Sequence, residues 1–228
     1  MQVAVLVGGL GTRLRGAIPE GTPKPMAEVA GRPFLEHVLS GAAEAGATDF
    51  LLLTGHRSEV IRSHFGAAFA GIPIRYSVEA EPRGTGGALL EAADLLAEVF
   101  VLINGDTWVE ADLDSLVELA SPLSMALVEV SDTARYGRID TEDGVVIAMR
   151  EKGVAGPGLI NAGAYGIRKD LLGAFPDRPV VSLEQDVLVP RLSDLAPRYV
   201  LAGGAFYDIG IPADYRAADA WFSAGAAD

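Results

Sequence analysis

The first half of the chain alternates between two hydrophobic periods, and that alternation restricts the fold more than any single motif does. QVAVLV (2–7), DFLLLTG (49–55), IPIRYSVE (72–79) and EVFVLING (98–105) are short apolar runs of strand length. Between them, PFLEHVLSGAAEAG (33–46) sets Phe34, Leu35, Val38 and Leu39 at helical spacing, with Gly46 as a stop. SEVIRSHFG (58–66) reads as a short helix capped by Ser58, and GGALLEAADLLAE (86–98) as a longer one. Buried strands joined by helices run parallel, with right-handed crossovers, so the spacing predicts a doubly wound α/β sheet.

From about residue 123 the character changes. SMALVEV (124–130) and GRIDTEDGVVIAMRE (137–151) read as strands, the second folded over a turn at Asp143-Gly144. INAGAYGIR (160–168) follows, then a helix from Ser182 to about Leu195, the runs RYVLAG and AFYDIG, and a last helix from Pro212. This half is more antiparallel. The expectation is therefore one domain, 1–228, with a mixed sheet and a smaller antiparallel, lid-like part packed on the first half. Asp112, Asp114 and Glu118 read as a solvated helix face.

Charge and cysteine usage remove several function classes. Thirty-one acidic residues against 18 basic ones give a net charge of -13, unsuited to a nucleic-acid or anionic membrane surface. With no cysteine there is no disulfide framework, thiolate metal site or thiol catalysis. Neither a signal peptide nor an apolar run of membrane length is recognisable, so the expectation is a soluble, cytoplasmic protein. Monomer and homodimer both stay open. Against the global sign, residues 6–26 (LVGGLGTRLRGAIPEGTPKPM) hold Arg13, Arg15 and Lys24 with Glu20 as the one acid.

That locally basic loop follows the first strand, at the sheet edge where α/β proteins bind ligands. Gly8, Gly9 and Gly11 let backbone N–H groups approach a phosphate, and Arg13 and Lys24 add positive charge. Lys24 sits between two prolines, which aim it in one direction. Neither GxGxxG nor the Walker GxxxxGK[ST] spacing is present. A glycine-rich structural turn with solvated arginines is the plainer alternative.

The string as a whole goes further. GGLGTRLR, TPKPM and AGRPFLEHVL are followed in order by EPRGTGGAL (81–89), NGD (104–106), EKG (151–153), INAGAYGI (160–167), SLEQD (182–186) and FYDIGIPADY (206–215). This series resembles the sugar-phosphate nucleotidyltransferases, which join a nucleoside triphosphate to a sugar 1-phosphate and release pyrophosphate. The resemblance covers nearly the whole chain. It implies the Rossmann-like fold of the nucleotide-diphospho-sugar transferases, with a nucleotide-binding half (about 1–122) and a sugar-binding half (about 123–228).

By the same resemblance, Asp106 and Asp208 hold Mg²⁺, and Arg13 and Lys24 bind the triphosphate and act in catalysis. Leu6, Gly8, Gly9, Gly11 and Thr12 line the nucleotide with Glu79, Gly84, Thr85 and Gly86. Glu79 suits guanine, whose N1–H and N2–H₂ a carboxylate can accept together. Gly137, Glu151, Lys152, Asn161 and Glu184 are implied for the sugar phosphate. The partners implied are GTP and a sugar 1-phosphate. The branch acting on D-glycero-α-D-manno-heptose 1-phosphate is the most similar, with mannose 1-phosphate and N-acetylmuramate 1-phosphate as alternative substrates of neighbouring branches.

Overall fold

The computed structural model describes residues 1–9, 14 and 16–225. In chain order the strands are β1 (Gln2–Leu6), β2 (Glu28–Val29), β3 (Arg32–Pro33), β4 (Asp49–Thr54), β5 (Ala68–Phe69), β6 (Ile72–Val78), β7 (Val99–Asn104), β8 (Thr107–Val109), β9 (Leu123–Val130), β10 (Ile139–Glu142), β11 (Val145–Met149), β12 (Gly158–Arg168), β13 (Arg198–Leu201) and β14 (Phe206–Asp208). The α-helices are α1 (Phe34–Glu44), α2 (Ser58–Phe65), α3 (Gly84–Glu91), α4 (Leu113–Leu119), α5 (Leu192–Leu195) and α6 (Pro212–Gly225).

Ten strands form one mixed sheet in the order β10-β11-β13-β9-β12-β7-β1-β4-β6-β5. β1 lies between β4 and β7, parallel to both, with Val3 opposite Phe50 and Val101. Successive residues of a strand face opposite sides, so β1 feeds two cores. Val3 and Val5 pack with Phe34, Leu35 and Leu39 of α1, and Ala4 packs with Leu89, Phe100 and Leu102. Covered on both faces, the strand beyond the buried Gln2 has no polar position to alternate with, which is why it reads as a continuous apolar run.

The second half differs from expectation in how its strands are placed. β9 to β13 are part of the same sheet rather than a layer packed on it: β12 runs antiparallel to both β7 and β9, and β13 lies parallel to β9, while β14 pairs with β8 in a separate two-stranded sheet. The β10–β11 hairpin closes that side of the sheet, with β10 also pairing with β12 where Ile139 faces Leu159. Its turn is the expected one, with Asp143 and Gly144 both at positive φ (49° and 78°), the twist that a two-residue hairpin requires.

Helix boundaries show the local chemistry that apolar spacing misses. Ser58 is the first residue of α2 rather than its cap; Arg57 precedes it in the left-handed region (φ 59°). α3 ends at Glu91, and a single 3-10 turn, Ala93–Leu95, completes the segment. The Ser182–Leu195 segment is a wide π-type turn (Leu183–Leu188), a 3-10 turn containing Pro190, and the short α5. Proline has no N–H for a continuous helix. Asp112 is not simply solvated, since its Oδ1 accepts from Ser115 N at 3.0 Å and caps α4. Among the described residues, no helix is long and apolar enough to cross a membrane.

Candidate active site

The strand order reverses beside β1: β4 and β6 step away on one side and β7 lies on the other. At such a switch point the connections leave in opposite directions and open a crevice beyond the carboxyl ends. Leu6 and Asn104, the last residues of β1 and β7, stand at its mouth. Gly105 closes the floor, its N donating to Leu6 O at 2.9 Å. A Cβ there would lie 2.5 Å from Val7 Cγ1, so only glycine fits.

Three distant residues meet at this opening. Lys24 begins a single 3-10 turn (Lys24–Met26) after Pro23, and its residue is 8% exposed. Its Nζ lies 2.5 Å from Asp106 Oδ2 and 3.3 Å from Asp208 Oδ1. Asp106 follows β7 after Gly105. Asp208 arrives through the pairing of β14 with β8, which sets it opposite Thr107. Ile209 N donates to Asp106 O at 3.1 Å and ties the two segments together. Gly210 N donates to Asp208 Oδ1 at 2.8 Å and orients that carboxylate.

On one side is a cleft of about 310 Å³ lined by Leu6, Gly8, Gly9, Glu79, Gly84, Thr85, Asn104 and Asp106, among others. Glu79 ends the β6 run half-buried beside Gly8, where an added Cβ would sit 3.4 Å from Glu79 Oε2. Burial pushes the Glu79 carboxyl above its ordinary value, against the Arg83 N–H that donates to Oε1 at 3.2 Å. Gly86 is not part of this cleft. Its N and that of Gly87 donate to Val181 O (2.8 and 3.1 Å), so these two N–H groups are taken up by the Val181 backbone, while Gly84 and Thr85 ahead of them line the cleft. Gly11, Thr12 and Arg13 lie outside the described residues.

On the other side a cleft of about 640 Å³ is lined by Gly137, Glu151, Lys152, Asn161 and Glu184, together with Asn104 and Tyr136. All the residues expected around the sugar phosphate therefore share one cavity, and Asn104 lines both clefts. Gly137 is at φ +85° with its would-be Cβ 2.6 Å from Arg150 O, so the loop turns tightly under Glu151. The β12–β9 register shifts between Asn161 and Tyr165, and Gly163 in that break is at φ +74°. The break turns Asn161 into the cleft. There Asn161 Oδ1 accepts from Gly163 N (3.0 Å), Asn161 Nδ2 donates to Tyr165 Oη (2.6 Å), and Tyr165 Oη donates to Glu184 Oε1 (2.9 Å).

Sequence reasoning assigned no role to Asn104, although NGD contained it, nor to Tyr136, which adjoins Gly137. Burial and the nearby Asp214 push the Tyr136 hydroxyl up to about 12. His56 and Arg57 line a third cleft of about 540 Å³ that shares Gly9 with the first. Of the other histidines, His37 is buried with Nε2 2.9 Å from Val29 O, and His64 Nε2 lies 2.6 Å from Glu36 Oε1.

A mixed sheet that opens at its switch point onto two clefts sharing Asn104, with Asp106 lining one of them and held with Asp208 by a buried lysine, is the architecture of a protein that handles phosphate esters. The nucleotidyl transferase family model matches residues 2–220, and the chain belongs to that family. Within the family it is similar to the D-glycero-alpha-D-manno-heptose 1-phosphate guanylyltransferase of Campylobacter jejuni, 38% identical, over 94% of this chain and 97% of that protein. The enzyme of the same name from Aneurinibacillus thermoaerophilus is 39% identical over 96% of each chain. The crystal structure of HddC from Yersinia pseudotuberculosis complexed with GMP-PN superposes with a TM-score of 0.84, 34% identical, covering 97% of this chain and 99% of that one.

Proposed function

We propose that this protein transfers the guanylyl group of GTP to D-glycero-α-D-manno-heptose 1-phosphate, giving the GDP-sugar and pyrophosphate. The observation that carries the reading is the meeting of Lys24 and Asp208 with Asp106, which lines the smaller cleft two residues beyond Asn104, the residue both clefts share. A nucleotide in the smaller cleft and a sugar phosphate in the larger one would bring their phosphates together at that junction. The two heptose 1-phosphate guanylyltransferases, similar over nearly their full length, support the choice of substrates.

Asp106 and Asp208 suit Mg²⁺. The donor set is oxygen only, and Mg²⁺ is usually held by one or two carboxylates with substrate phosphates completing its shell. Bound there, the ion would supply Lewis-acid neutralisation of the phosphate oxygens.

The chain's own residues do the rest by positioning and charge. An anionic oxygen of the sugar phosphate attacks the α-phosphorus, the bond to the β-phosphate oxygen breaks, and pyrophosphate leaves with that electron pair. No side-chain nucleophile or base is required. Lys24 exchanges its carboxylate partners for α-phosphate oxygens, and Arg13 holds the departing pyrophosphate. Glu79 accepts from guanine N1–H and N2–H₂. Lys152 meets the sugar phosphate, while Glu151, Asn161 and Glu184 take sugar hydroxyls above Gly137.

The test is pyrophosphate release with Mg²⁺ across a grid of nucleoside triphosphates and sugar 1-phosphates. A signal confined to GTP with the manno-heptose phosphate is expected. Turnover with mannose 1-phosphate, or with UTP and N-acetylmuramate 1-phosphate, would overturn the specificity and keep the reaction. Nucleotide binding without turnover on any pair would overturn the reaction.

A further inference from the structure

We infer that the Tyr165 hydroxyl is a positioning group for the sugar cleft: by donating to Glu184 and accepting from Asn161, it fixes which hydrogen-bonding character each of them presents to the sugar. The inference rests on the reading of that cleft as the sugar site and extends it to a residue that does not line it.

Tyr165 is completely buried, at 0% exposure. It sits in β12 beyond the register break, opposite Leu102 of β7 and Met125 of β9, so its ring is clamped in the sheet. Its hydroxyl is placed between two side chains that do line the cleft. The polarity of the chain of bonds follows from donor counting. An ionised carboxylate only accepts, so the single phenolic proton goes to Glu184 Oε1, 2.9 Å away. The phenol oxygen is then left to accept, and Asn161 Nδ2 supplies a proton at 2.6 Å.

At the far end, Gly163 N–H needs an acceptor and takes Asn161 Oδ1 at 3.0 Å. Turning the amide over would set Nδ2 against the Gly163 N–H and leave both donors without a partner. Burial and the Glu184 charge push the Tyr165 hydroxyl well up, so it keeps the proton this polarity requires. Once the chain is set, Asn161 has one N–H remaining for a ligand, and Glu184 has lone pairs remaining. The cleft thus offers a donor at one point and an acceptor at another, both oriented before substrate arrives. A sugar hydroxyl can answer either. Glu184 Oε2 also lies 3.4 Å from Ser182 Oγ, so both of its oxygens are steered.

The test is Tyr165→Phe, which keeps the ring and removes the hydroxyl. The expected result is a KM for the sugar 1-phosphate raised about tenfold, with kcat and the KM for GTP within about threefold of wild type. Asn161→Ala is measured beside it. If Asn161→Ala raises the sugar KM and Tyr165→Phe does not, the positioning role is wrong and the sugar cleft stands. If neither variant moves it, the sugar cleft itself is wrong and the inference falls with it. Should Tyr165→Phe fail to fold, the relay is read in Glu184→Gln without substrate. The Asn161 side-chain amide resonances are expected to shift in that variant, because the change passes through the Tyr165 hydroxyl. Unmoved resonances would overturn the relay.

Discussion

Lys24 Nζ is 2.5 Å from Asp106 Oδ2 and 3.3 Å from Asp208 Oδ1, although the two aspartates lie 82 and 184 residues further along the chain. A buried ammonium bridging two carboxylates offsets their mutual repulsion. It also stands in the way of any other cation those carboxylates could hold. In the proposed reaction the lysine must leave them for the phosphates, and a divalent cation held by Asp106 and Asp208 would supply the neutralisation.

Lys24→Met should therefore have two opposite effects. Removing the competing positive charge is expected to tighten binding of Mn²⁺ to the substrate-free protein by about tenfold, read by electron paramagnetic resonance titration. Pyrophosphate release should fall by about 10²–10³-fold, because the charge at the α-phosphate is lost. Equal Mn²⁺ affinity in variant and wild type would show that the lysine does not compete for the carboxylates. Asp106→Asn is expected to lose both metal binding and turnover with an unchanged circular dichroism spectrum.

Glu79 gives the pH dependence. Burial raises its carboxyl above the ordinary 4.5, so it protonates at a higher pH than an exposed glutamate. In the proposed reading, Glu79 recognises guanine in its charged, accepting form. Affinity for GTP is then present above the raised value and lost as the pH falls through it. Stability runs the other way. The raised value means the fold favours the protonated group, so that contribution is full below the ordinary value and lost as the pH rises through the raised one. Calorimetric titration of GTP between neutral pH and the glutamate range should show the loss, and Glu79→Gln should flatten it. Gln also offers a donor and an acceptor, so this variant should bind UTP better relative to GTP. A pH profile unchanged in Glu79→Gln would remove Glu79 from base recognition.

How much of this could be read in advance depended on whether the information was local. β1, β4 and β7 were legible because strands buried on both faces are apolar along most of their length. β6, with Pro73, Arg75 and Val78 exposed, was legible from its length and its β-branched residues. Asp106, Lys24 and Asp208 were legible as motif positions, but nothing in FYD announces that a three-residue strand will pair with TWV and bring Asp208 beside Asp106. The integration of β12 into the sheet between β7 and β9 was equally hidden, because an apolar run does not name its neighbours. Tyr165 lay inside the INAGAYGI motif, yet its place depends on a register break and on a π-type turn that sets Glu184, and neither has a hydrophobic period. Gly86 was expected near the nucleotide from the glycine cluster GTGG; what decides its surroundings is the Val181 carbonyl, 95 residues further on.

Gly163 provides the sharpest test of the site's architecture. It lies in the β12 register break at φ +74°, and a Cβ there would come 3.0 Å from Asn104 Cγ, the side chain that lines both clefts. Gly163→Ala must therefore carry backbone strain of about 1–3 kcal/mol and also push Asn104 aside. For a chain of this length that corresponds to a fall of about 2–12 °C in the thermal midpoint. Gly144 is the control. It has a similar φ of +78° in the β10–β11 turn, but a Cβ there would meet nothing within 4 Å. Gly144→Ala is expected to lower the thermal midpoint by strain alone and leave both KM values unchanged. Gly163→Ala is expected to lower it and to raise the KM for GTP and for the sugar 1-phosphate together, because Asn104 borders both. If the two variants lose stability alike and neither changes KM, the displacement of Asn104 has no bearing on substrate binding, and the junction between the clefts is set by other residues.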